Sequence, residues 1–165
     1  MASSTRDAIT ARIPHRPPFL FVDEIIEETG KAAGSAEARL VSRWTVPQDA
    51  AFFAGHYPGN PILPGVILSE FVFQSGALLV GGLAAEQSAP QAGAPVLVRI
   101  QDARFRRICR PGETLECEVV LADQLGPAWH LKAKVTVAGE TALTLKCVVA
   151  LVAEPAPAPE EGGPA

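Results

Sequence analysis

The chain has 165 residues, 48% of them hydrophobic, and a net charge of −4. That length fits one domain with a real core, and the acidic balance gives no global case for nucleic-acid binding. Three widely spaced cysteines, Cys109, Cys117 and Cys147, lack metal-ligand spacing and read as buried free thiols of a reducing compartment.

The first residues, Met1 to Asp7, lack the apolar core of a signal peptide, so a cytoplasmic location is expected. Residues 1–9 read as an N-terminal segment, 10–153 as the domain, and 154–165 as a disordered tail rich in Pro, Ala and Glu. Residues 13–22 are extended, because each residue before a proline is pushed away from helix. A strand is predicted over 20–27, a turn at Gly30-Lys31 and a second strand over 35–46.

Next comes the dense run Phe53-Ala54-Gly55-His56-Tyr57-Pro58-Gly59-Asn60-Pro61-Ile62-Leu63-Pro64-Gly65. His56 stands in a proline-stiffened loop, a setting that suits acid–base work; a merely structural or solvated histidine is the plainer alternative. Pro64 fits a first helical position, and the helix it opens is apolar nearly all round up to Val80. Such a helix must be enclosed by protein. It is also the one candidate for a membrane span, over residues 64–83, but Glu70 and Gln74 interrupt it and it is read as a central core helix. Gly81-Gly82 can end it, with a loop over 88–95.

Glu70 lies fourteen positions after His56. A helix carboxylate commonly reaches solvent or an arginine, but Leu68, Phe71, Val72 and Phe73 leave little polar face here. A carboxyl in such a setting suits delivery of a proton to a leaving hydroxyl. The Gly65 N–H at the helix start can stabilise a developing oxyanion. Glu70 lies about 7–8 Å along the axis from that tip, so it cannot easily serve a ligand held there. A two-fold partner could present its own copy, which would make the site intersubunit.

Four more strands are predicted: 96–100, 115–121, 129–137 and 141–152. The last three alternate apolar and polar residues with period two, the pattern of an antiparallel sheet covered on one side. One apolar helix and alternating strands predict an α+β domain, with a curved antiparallel sheet wrapped around the helix. Arg99, Arg104, Arg106, Arg107 and Arg110 are five of the 14 Lys and Arg residues. This cluster suits an anionic partner, or else pairs with local carboxylates such as Asp102 and Glu113. His15 and His130 read as structural or surface residues.

The run Gly55 to Val66, with Glu70 and Gln74, resembles the signature of the FabZ-type 3-hydroxyacyl-(acyl-carrier-protein) dehydratases. Ile13-Pro14-His15-Arg16-Pro17-Pro18-Phe19-Leu20-Phe21-Val22-Asp23 resembles that family's N-terminal motif. Ala103 to Arg107 with Pro111-Gly112-Glu113 resembles a later one. The resemblance implies a hot-dog fold, a homodimer with shared active sites, and often a trimer of dimers. It implies dehydration of a 3-hydroxyacyl thioester, held on an acyl carrier protein, to the trans-2-enoyl thioester. Fatty-acid or related lipid or polyketide synthesis is the setting, with no metal or organic cofactor.

His56 then matches the catalytic histidine, Glu70 the catalytic carboxylate supplied by the partner subunit, and Gly65 the glycine whose amide binds the thioester carbonyl. Tyr57, Val66, Phe71, Phe73 and Gln74 are expected to contact substrate, and the arginine cluster the carrier protein. His56 could instead perform both proton transfers, with Glu70 orienting water. Relatives that also isomerise the double bond typically carry aspartate at the Glu70 position, so glutamate favours simple dehydration. Asn60 and Ile108-Cys109-Arg110 depart from the family pattern, and bulky Phe71 and Phe73 could narrow the acyl tunnel. A hot-dog thioesterase and a non-catalytic acyl-binding protein are the alternatives.

Overall fold

The computed structural model describes residues 5–30, 38–86 and 93–152. The predicted tail, Lys31 and most of the predicted 88–95 loop lie outside the described residues. Three helices and a sheet make the frame. They are α1 (Thr5–Arg12), β1 (Glu24–Thr29), β2 (Arg39–Thr45), the short α2 (Phe52–Gly55), α3 (Gly65–Glu86), β3 (Ala94–Phe105), β4 (Thr114–Leu125), β5 (Ala128–Val137) and β6 (Glu140–Val152). The six strands form one antiparallel sheet in the order β1-β2-β4-β5-β6-β3. It curves around α3, which touches β2 through β6. This is the hot-dog arrangement expected from the sequence.

Alternation explains the wrapping. In β5, Trp129, Leu131, Ala133, Val135 and Val137 are buried, and β4 turns Leu115, Cys117, Val119 and Leu121 to the same side. Each such side chain contributes roughly 1.5–3 kcal/mol when fully buried. By length and composition α3 could cross a bilayer, but 61% of its most apolar stretch is buried inside the protein. One of its polar residues, Ser75, is wired to the sheet. Ser75 donates to the Phe71 carbonyl at 2.7 Å and lies 2.7 Å from the Ser42 hydroxyl on β2. A hydroxyl has one hydrogen, so Ser42 must donate in that second contact. Burial pushes the Cys117 thiol up to about 12 and Cys147 to about 11, leaving both protonated and inert.

Several boundaries differ from the sequence reading. Gly81 and Gly82 lie inside α3, not at its end. A Cβ at Gly82 would come within 2.6 Å of the Glu28 carboxylate, and one at Gly81 within 3.4 Å of the Arg12 carbonyl. These glycines make room for the Arg12–Glu28 ion pair (2.8 Å) instead of stopping the helix. Pro64 sits one residue earlier than expected, as the cap whose carbonyl accepts from Ile67 and Leu68. The first strand starts at Glu24 because Phe21 is engaged by a helix side chain. β3 runs on to Phe105, beyond the predicted end at Ile100, through two irregularities of register and a left-handed Asp102 (φ 51°). The helix α1 spans residues 9 and 10, and Ile9 is fully buried in the core.

Candidate active site

The loop between α2 and α3 is built on a turn. Pro58 and Gly59 (φ 80°) are its central residues, and the Asn60 N–H donates to the Tyr57 carbonyl at 2.9 Å. Proline followed by a left-handed glycine is the type II pattern. The loop is then tied across to the segment after β3. Leu63 N–H donates to the Cys109 carbonyl at 2.8 Å, and Arg110 donates to the Asn60 side chain at 2.9 Å. Tyr57 holds a left-handed backbone (φ 51°), and its ring meets that of His56 edge-on at 4.7 Å.

This rigid loop fixes the state of His56. Its Nδ1 lies 2.9 Å from the Ile62 carbonyl. A carbonyl only accepts, so Nδ1 carries the hydrogen and the lone pair of the neutral ring is on Nε2. The ring therefore offers one basic nitrogen, aimed by backbone.

At the start of α3 the Gly65 and Val66 N–H groups have no hydrogen-bond partner among the described residues. They carry the positive end of the helix dipole. Phe105 closes over this point: a Cβ at Gly65 would lie 3.1 Å from its ring. The absence of a side chain at Gly65 lets the ring approach. Val66 is 77% exposed and Tyr57 60% exposed in the single chain.

Glu70 is held differently. Its Oε1 accepts from the Gln74 amide at 3.0 Å and lies 3.4 Å from His15 Nε2. Gln74 is fully buried. Its other amide hydrogen goes to the Phe19 carbonyl at 3.1 Å, and its oxygen accepts the Phe21 N–H at 2.8 Å. Every hydrogen on that nitrogen is used, so the amide orientation is forced. Oε2 of Glu70 has no protein partner among the described residues. His56 and Glu70 form no hydrogen bond or ion pair with each other in the chain.

The FabA-like domain family matches residues 13–146 of this sequence. A 3-hydroxyacyl-(acyl-carrier-protein) dehydratase FabZ from Chloroflexus aggregans is 40% identical over 87% of this chain and 92% of its own length. The chain belongs to the FabA-like family, among its FabZ-type members. A FabZ from Anaeromyxobacter sp. strain Fw109-5 is 36% identical, covering 82% of both chains. The fold is shared more widely. The dehydratase heterocomplex ApeI:P from Xenorhabdus doucetiae matches with a TM-score of 0.68 at 15% identity, over 87% of this chain and 90% of that one. A hypothetical thioesterase with coenzyme A from Streptococcus pneumoniae matches at 0.57 and 12% identity, over 81% and 88%.

Within this FabZ-type chain the remaining sequence candidates separate. Phe71 is fully buried against Trp44 (5.7 Å between rings), a core position, and not a lining one in the single chain. Phe73 packs partly buried against the same core. Gln74 is saturated by the protein, and one of its partners is Glu70. Arg107 is spent on Glu113 (2.7 Å) and Glu140 (3.0 Å), and Arg110 on Asn60 and the Pro61 carbonyl. The Arg107 guanidinium and the Arg110 backbone N–H hold the Glu113 carboxyl below its usual range. Arg110 clasps the loop, and Arg107 braces Glu113, which accepts the Arg110 backbone N–H. Arg99, Arg104 and Arg106 are exposed and their side chains make no hydrogen bond or ion pair among the described residues.

His15 reads from the sequence as a structural or surface residue, and the fold sets its Nε2 3.4 Å from Glu70 Oε1. It lies 55 positions from Glu70, and only the fold joins them. Phe105 was likewise seen only as part of a strand motif. Among the described residues no group of His, Cys, Asp and Glu could hold a metal ion.

Proposed function

We propose that this chain dehydrates 3-hydroxyacyl thioesters carried on an acyl carrier protein, in fatty-acid biosynthesis. Its FabZ relatives carry that activity in their names. The observation that supports the chemistry best is the His56–Ile62 hydrogen bond, which leaves Nε2 as the one available base. His56 Nε2 takes a proton from C2. The C2–H electron pair becomes the C2–C3 double bond, and the C3–O bond breaks. Glu70 of the partner subunit gives its proton to the departing hydroxyl, which leaves as water. The Gly65 N–H stabilises the charge that builds on the thioester oxygen.

The sharing of the site rests on the sheet's two free edges. The β1 edge is short and charged, with Glu24, Glu27 and Glu28. Such an edge resists pairing. The β3 edge is twelve residues long and exposes Val96, Val98 and Ile100, with Phe105 and Ile108 beyond. We infer that two copies pair along β3, which would continue the sheet and bring His56 of one chain to Glu70 of the partner subunit. Arg99 and Arg104 lie on that edge and Arg106 just past it, and they offer positive charge to an acidic carrier. The protein acts in the cytoplasm in this reading.

The test uses purified protein and a 3-hydroxyacyl thioester. An enoyl-thioester absorbance that rises without release of free thiol is expected. Free thiol without enoyl product would mean hydrolysis and overturn the assignment.

A further inference from the structure

The histidine at position 15 has an unusual set of neighbours. Its Nε2 stands 3.4 Å from Glu70 Oε1, while its Nδ1 is buried and has no hydrogen-bond partner among the described residues. The ring stacks on Phe19 at 6.3 Å and 23°. Arg16 pins the surrounding backbone, donating to the carbonyls of Ile13, His15 and Thr10. A hydrogen on Nδ1 would be a buried, unsatisfied donor, and the Nε2 lone pair would then face a carboxylate. A hydrogen on Nε2 removes both conflicts. Among the described residues the polar part of this ring therefore has one protein contact, the carboxylate of Glu70.

A histidine kept only for packing would satisfy both nitrogens or yield to an apolar ring. This one leaves a nitrogen orphaned and keeps the other on Glu70. Gln74 meets the same oxygen from the opposite direction in sequence, through a network of fixed geometry. Two donors on Oε1 leave Oε2 as the only oxygen on which a transferable proton can sit. We propose that His15 is a positioning residue, which with Gln74 fixes Oε1 of Glu70 so that Oε2 faces the ligand. The inference rests on Glu70 being the proton donor assigned above.

The test compares His15→Phe with His15→Gln. Phenylalanine keeps a ring on Phe19 but has no donor; glutamine returns an N–H near the position of Nε2. His15→Phe is expected to lower kcat about tenfold, since a hydrogen bond to a charged group is the interaction lost. KM should stay nearly constant, and His15→Gln should recover most of the rate. In a Glu70→Ala background, His15→Phe should cost nothing further, because its target is gone. An unchanged kcat in His15→Phe, or an equal loss in both backgrounds, overturns the proposal.

Should His15→Phe fail to fold, nitrogen NMR of the wild type decides. An Nε2–H ring whose shifts move in Glu70→Ala is expected, and an Nδ1–H ring overturns the proposal. A wild type that forms no enoyl thioester would sink the dehydration reading instead, and the NMR comparison would still judge the His15–Glu70 contact.

Discussion

The two halves of the candidate site are built in opposite ways. Around Glu70 the chain supplies everything itself: a fully buried Gln74, two backbone groups from the 13–22 segment and His15. Around His56 the chain supplies one hydrogen bond and a stiff turn, then leaves Tyr57 and Val66 open. One half is preorganised from within. The other is an open surface, which in the proposed dimer a second copy completes. On that proposal the chemistry depends on folding at one end and on association at the other, and substitutions should separate the two.

The largest effects fall on catalysis. His56→Ala and Glu70→Ala should each lower dehydration by about 10²–10⁴-fold, read as enoyl formation under saturating substrate. His56→Ala should stay close to wild type in stability, whereas Glu70→Ala should lose about 1–3 kcal/mol because it orphans an amide hydrogen of buried Gln74.

Next in size is the open half. Val98→Lys places a charge on the exposed β3 edge, at a position 61% accessible in the single chain. The folded monomer should survive, the dimer should not, and activity should fall with it. Sedimentation that still shows a dimer would remove β3 as the pairing edge.

The preorganised half should respond in stability. Gln74→Leu orphans the Phe21 N–H and the Phe19 carbonyl, at about 2–4 kcal/mol. For a chain of this size that is roughly 5–10 °C in Tm. Asn60→Ala in the other half removes only an exposed contact with Arg110, so its Tm should move by about 2 °C at most. Equal losses in the two variants would erase the contrast between the halves.

The smallest effect concerns the clasp beneath the His56 loop. Glu113 accepts twice from Arg107 and once from the Arg110 backbone, which depresses its carboxyl below the ordinary 4.5. A depressed carboxyl stabilises the fold above its unfolded value and loses that contribution as pH falls through the lower folded value. The Tm gap between wild type and Glu113→Gln should thus be steady near neutrality and shrink below about pH 4.5. The difference in unfolding free energy behind it should be about 1 kcal/mol or less, since the pair is partly solvated.

Much of this was legible along the chain because it is local. Period-two alternation marks β4, β5 and β6, and an all-round apolar run marks α3. Glycines and prolines mark the His56 turn. What was hidden is set by contacts distant in sequence. Gly81 and Gly82 look like a helix stop until Arg12 and Glu28 fill the space beside them. β3 looks short because its bulges and the left-handed Asp102 break the alternation. Arg107 and Arg110 look like free charge until their partners are seen. His15 stands in the 13–23 motif, but nothing local says what it meets; only the folded 13–22 segment carries it to Glu70.

The central claim is that one chain's imidazole works with the other chain's carboxyl. Mixing inactive His56→Ala and Glu70→Ala proteins, with subunit exchange verified, tests it most directly. Half of the dimers would then be mixed, and one of the two sites in each would be intact, so about a quarter of wild-type activity should return. Verified mixed dimers that remain as inactive as either parent would contradict a site shared between subunits.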